Sequence, residues 1–367
     1  MKFSAKKSMT VGVMLTTAPL LLSACGQAPT SATNPAAATS AAVAGFKPCM
    51  VSDSGGFDDK SFNQLGYEGL VAAASQLGVK PVAVRSNAVT DFAPNLTNLV
   101  SQKCSLIVSV GYSLADATIA SAKANSSVNY VSIDDTLDAD HDGKTDIPNA
   151  KPIIFDTSQA AFLAGYAAAA YSKTKVVGTF GGMNLPTVSI FMDGFKQGVD
   201  YYNTKKGATV KVVGWNGKDG SFTGGFEANL AAQNTAQSLI DQNVDVLLPV
   251  GGPIYKSAAA AIRAAGRPIA LIGVDADITK TDPSVADITL TSIQKGIDVG
   301  TKAAALAAGA GSFDPTPFVG TLANSGVSIA PFYDYESKLP AGTITDLDVL
   351  KSSIISGSVK VTSYLSK

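Results

Sequence analysis

From Lys47 onward the chain alternates short β-branched runs with helical stretches, and no other property restricts its fold so tightly. Cys49–Ser52, Pro81–Arg85, Leu106–Val110 and Val128–Ile133 read as strands, with helices predicted over Ser61–Leu77, Phe92–Gln102 and Leu114–Asn125. Asp59 has the chemistry of an N-cap for the first helix, and Gly78 that of its stop. The alternation resumes with strands near Pro152–Phe155, Lys175–Phe180, Val210–Gly214, Val244–Pro249 and Ile269–Val274. Helices are predicted at Gln159–Tyr171, Val188–Asn203, Gly225–Asn243 and Ile254–Ala265. Strands alternating with helices imply a parallel, doubly wound α/β sheet. There are more strands than one ordinary sheet holds, and 367 residues exceed what a single core supports, so two α/β lobes are expected.

Composition removes several functions. The charges nearly cancel, 28 Lys and Arg against 29 Asp and Glu, which gives no case for nucleic-acid binding. His141 is the only histidine, which almost excludes a Ser-His-Asp triad and any multi-histidine metal site. Three cysteines are too few for a disulfide scaffold or a four-thiolate zinc site.

The beginning of the chain is not fold. Met1–Ala24 carries Lys2, Lys6 and Lys7, no acid, and the apolar stretch Met9–Leu22. That stretch is shorter than the ~20 residues of a membrane-spanning helix, and the pattern is that of a secretory signal. It runs into Leu22-Ser23-Ala24-Cys25-Gly26, which resembles a bacterial lipobox. Cys25 would then be diacylated and become the mature N-terminus, and two or three acyl chains give stable anchoring. The alternative is an ordinary signal peptide with a chance cysteine. Residues 25–45 would be lipidated Cys and uncharged tether, rich in Ala, Ser, Thr and Pro. The expected location is the extracytoplasmic face of a cell membrane.

Polar and glycine residues recur just after the strands: Asp53–Gly56, Gly111, Asp134-Asp135, Gly181-Gly182, Gly251-Gly252 and Asp275. Open α/β sheets bind ligands at the carboxyl ends of their strands, so two facing lobes would make a binding cleft. One Asp at such an end is as readily a helix cap, but acids spread over both halves are harder to explain that way.

The segment Val51-Ser52-Asp53-Ser54-Gly55-Gly56-Phe57-Asp58-Asp59-Lys60-Ser61-Phe62-Asn63-Gln64 resembles the opening of the BMP family of basic membrane lipoproteins. That family includes purine nucleoside receptors of ABC importers. Further matches are Ile133-Asp134-Asp135, Gln159–Tyr166, Gly181-Gly182-Met183, Phe191–Phe195, Trp215 with Gly220-Ser221-Phe222, Pro249–Gly252, Gly273–Asp277 and Leu290–Lys295. The series spans roughly Lys47 to Val361 and is specific through its order. The resemblance implies a type I periplasmic-binding-protein fold, two doubly wound lobes joined by a three-crossover hinge. It places lobe 1 at 46–156 plus 278–315 and lobe 2 at 157–277 plus 316–367.

A receptor can hold a flat purine between two aromatic rings and read its edges with hydrogen bonds. By resemblance Phe62 is one ring and Phe222 the second, with Phe226 close enough in sequence to take that place instead. Asn63 offers donor and acceptor to a base edge, and Asp53 and Asp134 accept from base N–H groups or orient Asn63. Asp275 would accept from vicinal ribose hydroxyls, and Lys295 would donate to the ligand and offset the acids. Met183 would supply apolar contact. Tyr112, Gly251 and Gly252 are weaker candidates, for which a plain loop role is equally open. Residue chemistry alone does not separate nucleoside from sugar; the preference for purine nucleosides rests on the resemblance. So do the expected partners, ABC permease subunits and an ATPase, for a monomer that needs no cofactor.

Cys49 and Cys104 begin the first and third predicted strands, neighbours in the 2-1-3-4-5 order. Neighbouring strands lie within disulfide range and export permits oxidation, so a bond is expected, two buried thiols being the alternative. Asp138, Asp140, Asp142, Gly143 and Asp146 follow the spacing of a calcium loop, which makes Ca2+ a candidate there, although Asn149 replaces the bidentate Glu. A solvated acidic loop is the competing reading. An enzyme such as a nucleoside hydrolase is disfavoured, because the acids are dispersed and no activated nucleophile is evident. A signalling or adhesive lipoprotein would keep the same fold.

Overall fold

The computed structural model describes residues 43–140 and 142–366. The signal segment, Cys25 and most of the tether lie outside the described residues, as does His141. The first lobe begins with β1 (Pro48–Ser52), α1 (Phe62–Gln76), β2 (Val82–Arg85), α2 (Phe92–Ser101) and β3 (Leu106–Val110). It continues with α3 (Ala115–Ala124), β4 (Asn129–Ile133) and β5 (Ala150–Phe155). The second contains α4 (Thr157–Tyr171), β6 (Val176–Gly181), α5 (Pro186–Lys206), β7 (Lys211–Val213) and α6 (Leu230–Ile240). After these come β8 (Val246–Val250), α7 (Ile254–Ala264), β9 (Ala270–Asp275), α8 (Ile278–Thr281) and β10 (Thr289–Lys295). The chain then returns for α9 (Ile297–Gly309) and β11 (Phe318–Gly320), and crosses back for β12 (Val327–Ile329) and α10 (Thr343–Ile355).

The sheets run β11-β5-β4-β3-β1-β2 and β12-β10-β9-β8-β6-β7, the same permutation twice. Every pairing is parallel except β10 with β12. The strands β1, β3, β8 and β9 are buried along their whole length, as a sheet covered on both faces requires. Two lobes of this type are what the alternation and the resemblance led us to expect. Their later boundaries differ from the expected ones. β10 pairs with β9, so residues 278–295 continue the second sheet instead of opening a return to the first. Residues 318–320 pair with β5 and complete the first sheet. The physical reason is the short α8 crossover, which simply adds the next parallel strand.

Helix α4 is buried almost all round, since it packs on α5, on β10 and on α10. The close approach of α4 and α5 depends on glycine: a Cβ on Gly198 would sit 2.0 Å from the Phe162 carbonyl oxygen. Helix α6 starts at Leu230, five residues later than its periodicity predicts. The Asn229 side chain accepts from the Ala232 N–H and caps it there, leaving Gly224–Ala228 as a loop. Among the described residues no helix is long and apolar enough to cross a membrane.

Cys49 in β1 and Cys104 just before β3 form a disulfide, with Cα atoms 5.9 Å apart. It lies at the amino ends of the strands, opposite the cleft. A link across 55 residues restricts the unfolded chain, so its reduction should cost about 2–4 kcal/mol. Chemical denaturation with and without reductant measures this, and ligand affinity of the reduced, folded protein should not change. An unchanged midpoint would mean that the reduced chain finds other compensation.

Candidate functional site

The carboxyl ends of both sheets face one cleft, lined by residues of both lobes. Asp53 follows β1, Asp134 follows β4, Asp275 ends β9 and Lys295 ends β10. Asp134 and Asp275 occupy equivalent places in the two lobes and share a left-handed backbone, with φ of 70° and 66°. Asp tolerates that conformation better than most side chains. Lys295 is buried and joins the two acids: its Nζ donates to Asp134 Oδ2 at 2.6 Å and lies 3.6 Å from Asp275 Oδ1. The same ammonium stands 5.1 Å from the ring centroids of both Phe62 and Phe191.

Ser61, at the start of α1, reaches across to the other lobe. Its hydroxyl hydrogen-bonds with Asp275 Oδ2 at 3.0 Å and with the Val274 carbonyl at 3.1 Å. Thr281 donates to the Lys60 carbonyl at 2.7 Å. With the Lys295–Asp134 pair, these bonds hold the lobes shut over the cleft.

Asp53, Asp134 and Asp275 share this space with one lysine, and burial outweighs their favourable contacts. Desolvation pushes Asp53 up to about 6, against hydrogen bonds from Gly55 and Asn63 that act the other way. Desolvation likewise pushes Asp275 up to about 6, although Lys295 and Ser61 favour its charged form. Asp134 is raised by burial too, with Lys295 opposing. The cleft therefore presents acceptors that lack enough donors.

Most expected site residues converge. Asp53, Phe62, Asn63, Tyr112, Asp134, Gly251, Gly252, Asp275 and Lys295 all line the cleft. Phe222 and Met183 do not. Phe222 stands behind the wall, edge-on to Trp215 with centroids 6.2 Å apart, and its backbone bridges to Gly181. Met183 is exposed at the surface. Phe226, carried by the glycine-rich loop before α6, lines the cleft from the second lobe, as Phe191 of α5 also does. Gly251 makes room for it: with φ at 141°, a Cβ there would sit 2.6 Å from the Phe226 ring. Trp215 donates its indole N–H to Asp193 at 2.8 Å and is core.

Asp59, Phe191 and Val188 line the cleft without having been singled out for it. Asp59 read as a cap, which it also is. Phe191 and Val188 lie on α5 with helical spacing, where a ligand-facing ring and a core ring have the same signature.

The acidic loop brings carboxylates of Asp138, Asp140 and Asp146 within 4.8 Å of one another. The loop's own N–H groups already donate to them, and Asp142 pairs with Lys144 at 3.1 Å. The Asn149 side-chain nitrogen donates to the carbonyls of Ala122, Asn125 and Val128, so the twelfth position is engaged elsewhere.

Residues 46–315 match the family described as ABC transporter substrate-binding protein PnrA-like. The chain is 28% identical over 334 residues to a CD4+ T-cell-stimulating antigen of Listeria monocytogenes, covering 86% of this chain and 88% of the relative. It is 28% identical over 213 residues to the ABC transporter nucleoside-binding protein BmpA of Lactococcus lactis, covering 57% and 56% of the two chains. Its fold is similar to that of an ABC transporter solute-binding protein from Aeropyrum pernix, with TM-score 0.77 at 23% identity over 87% of this chain and 93% of that one. The family is one of solute-binding proteins, not of enzymes.

Proposed function

This chain belongs to the PnrA-like family of ABC transporter substrate-binding proteins, and on that premise we propose that it captures purine nucleosides. It holds them in the interlobe cleft and delivers them to the permease and ATPase of an importer. Lipid on Cys25 keeps it at the extracytoplasmic face of the membrane, and the uncharged tether lets the lobes reach the permease.

The observation that carries this reading is the pairing of rings from opposite lobes with buried acceptors. Phe62 enters from the first lobe and Phe226 from the second, and a flat base fits between such faces. Asp53 and the Asn63 carbonyl face the same space from the first lobe, and Asp275 from the second. Ring N–H groups and ribose hydroxyls are donors of the kind these acceptors lack. The Lactococcus relative, named as nucleoside-binding, supports the same choice. Closure is part of the mechanism: Ser61, Thr281 and Lys295 bond across the lobes, so a ligand that bridges them favours the closed form a permease recognises.

Mass spectrometry of small molecules released on denaturing the purified protein tests the ligand class, with calorimetry against guanosine, inosine, adenosine, ribose and galactose. Nucleosides should be released and should bind, and the free sugars should not. Sugar binding without nucleoside binding would refute the proposal.

A further inference from the structure

Asp59 is buried, lies just before α1, and has an unusual set of partners. Its Oδ1 accepts from the backbone N–H of Ser61 at 2.9 Å and of Gln64 at 3.1 Å. Its Oδ2 accepts from the Asn63 backbone N–H at 2.9 Å and from the Asn63 side-chain Nδ2 at 3.1 Å. The first three bonds satisfy first-turn donors of the helix, as a cap does. The fourth does something a cap does not require.

Asn63 Nδ2 has a second carboxylate partner, Asp53 Oδ1, at 2.8 Å. Both hydrogens of the amide are therefore taken, one by each acid. The Asn63 Oδ1 atom is buried and has no protein partner, although Asn63 lines the cleft. An amide can normally present either end, and its two ends are hard to tell apart. Here a flip would place the carbonyl oxygen against two carboxylate oxygens, so one orientation is enforced.

Resting on the nucleoside reading, we infer that Asp59 is a positioning residue that fixes Asn63 as a hydrogen-bond acceptor and so selects bases presenting N–H to it. The selection has a chemical consequence. Asn63 Oδ1 and the Asp53 carboxylate form an acceptor pair on one wall. A guanine edge offers two adjacent donors, N1–H and the 2-amino group. An adenine edge places an acceptor, N1, beside its donor. The wall matches the first and leaves an acceptor against an acceptor with the second.

The test has a ligand-free limb and a ligand limb. In the free protein, NMR of the Asn63 side-chain amide should show two resolved protons protected from exchange. In Asp59→Asn both should lose protection in part, because the new amide can donate to Asn63 Oδ1 and so permits a flip that carries both hydrogens away from the acids. Asp53→Asn, which leaves the Asp59 contacts to the helix in place, should have the same effect for the same reason. Solvent-rate exchange of both protons in the wild type overturns the inference whatever the ligand.

In calorimetry the wild type should prefer guanosine to adenosine by about tenfold or more, and Asp59→Asn should move that ratio toward one. Equal weakening for both nucleosides with the ratio unmoved would show a capping role alone and overturn the inference. If neither nucleoside binds the wild type while the amide protons remain protected, the nucleoside reading falls and the positioning role stands.

Discussion

Asp275→Asn should weaken nucleoside binding by about 10²–10³-fold while leaving the melting temperature of the ligand-free protein unchanged or slightly higher. Asp275 Oδ2 is engaged by Ser61, but its Oδ1 has only the 3.6 Å approach of Lys295, so it retains capacity to accept from a ligand hydroxyl. Two charge-assisted bonds from vicinal hydroxyls are worth about 3–4 kcal/mol together, which sets the size of the loss. Folding loses little by the change. The carboxylate is raised to about 6 by desolvation, so at neutral pH its charge is a cost to the folded state. Lys295 keeps Asp134 at 2.6 Å after the substitution and is not left as an unpaired buried charge. Asn is the informative replacement, because φ at Asp275 is 66° and alanine would add backbone strain to the result. Calorimetry for affinity and a melting scan without ligand separate the two effects. Wild-type affinity in this variant would remove Asp275 from the ligand, and a large drop in melting temperature would reassign it to the fold.

How much of this was legible beforehand depended on whether the determining contacts were local. The strands β1, β3 and β8 announce themselves because sheets covered on both faces need nearly continuous apolar runs, and Leu106–Val110 is one, interrupted only by Ser109. The acids at strand ends were legible for a related reason: a polar residue there has few structural uses beyond capping. The membership of β10 was not legible, because whether Thr289–Lys295 pairs with β9 or with the first sheet depends on where the crossover folds back, which no short window records. The choice between Phe222 and Phe226 failed similarly. Both follow a glycine-rich stretch, and only the bridge of Phe222 to Gly181 and its contact with Trp215 turn it away from the cleft. The double engagement of Asn63 by Asp53 and Asp59 joins residues ten and four positions away through a turn, and spacing cannot report which amide end remains free.

Lowering the pH should release the ligand. Asp53 and Asp275 are both raised to about 6 in the ligand-free protein, and both are proposed to accept from the ligand in their ionised form. A bound donor stabilises that form, so the complex holds fewer protons than the free protein and affinity must fall as pH drops through about 6. With both groups linked, affinity at pH 5 should be about 10²-fold below that at pH 7.5, roughly tenfold per proton taken up. The groups facing each acid are consistent with this sign. Asp53 meets Asn63 and Gly55, with Asp59 and Asp134 adding repulsion, and Asp275 meets Lys295 and Ser61 with the same two acids beyond. Stability of the ligand-free protein runs the other way. A carboxylate whose folded value is raised favours folding most when protonated, so these two groups lose stabilising effect as pH rises from about 4 to 6. The two trends together identify the source: a general acid unfolding would lower affinity and stability in parallel, whereas titration of the cleft lowers affinity while the free protein holds or gains. Calorimetry across pH 5–7.5 in buffers of different ionisation heat counts the protons directly. Asp53→Asn should remove about one of the two protons, and an affinity independent of pH over this range would show that neither acid binds the ligand as a charged acceptor.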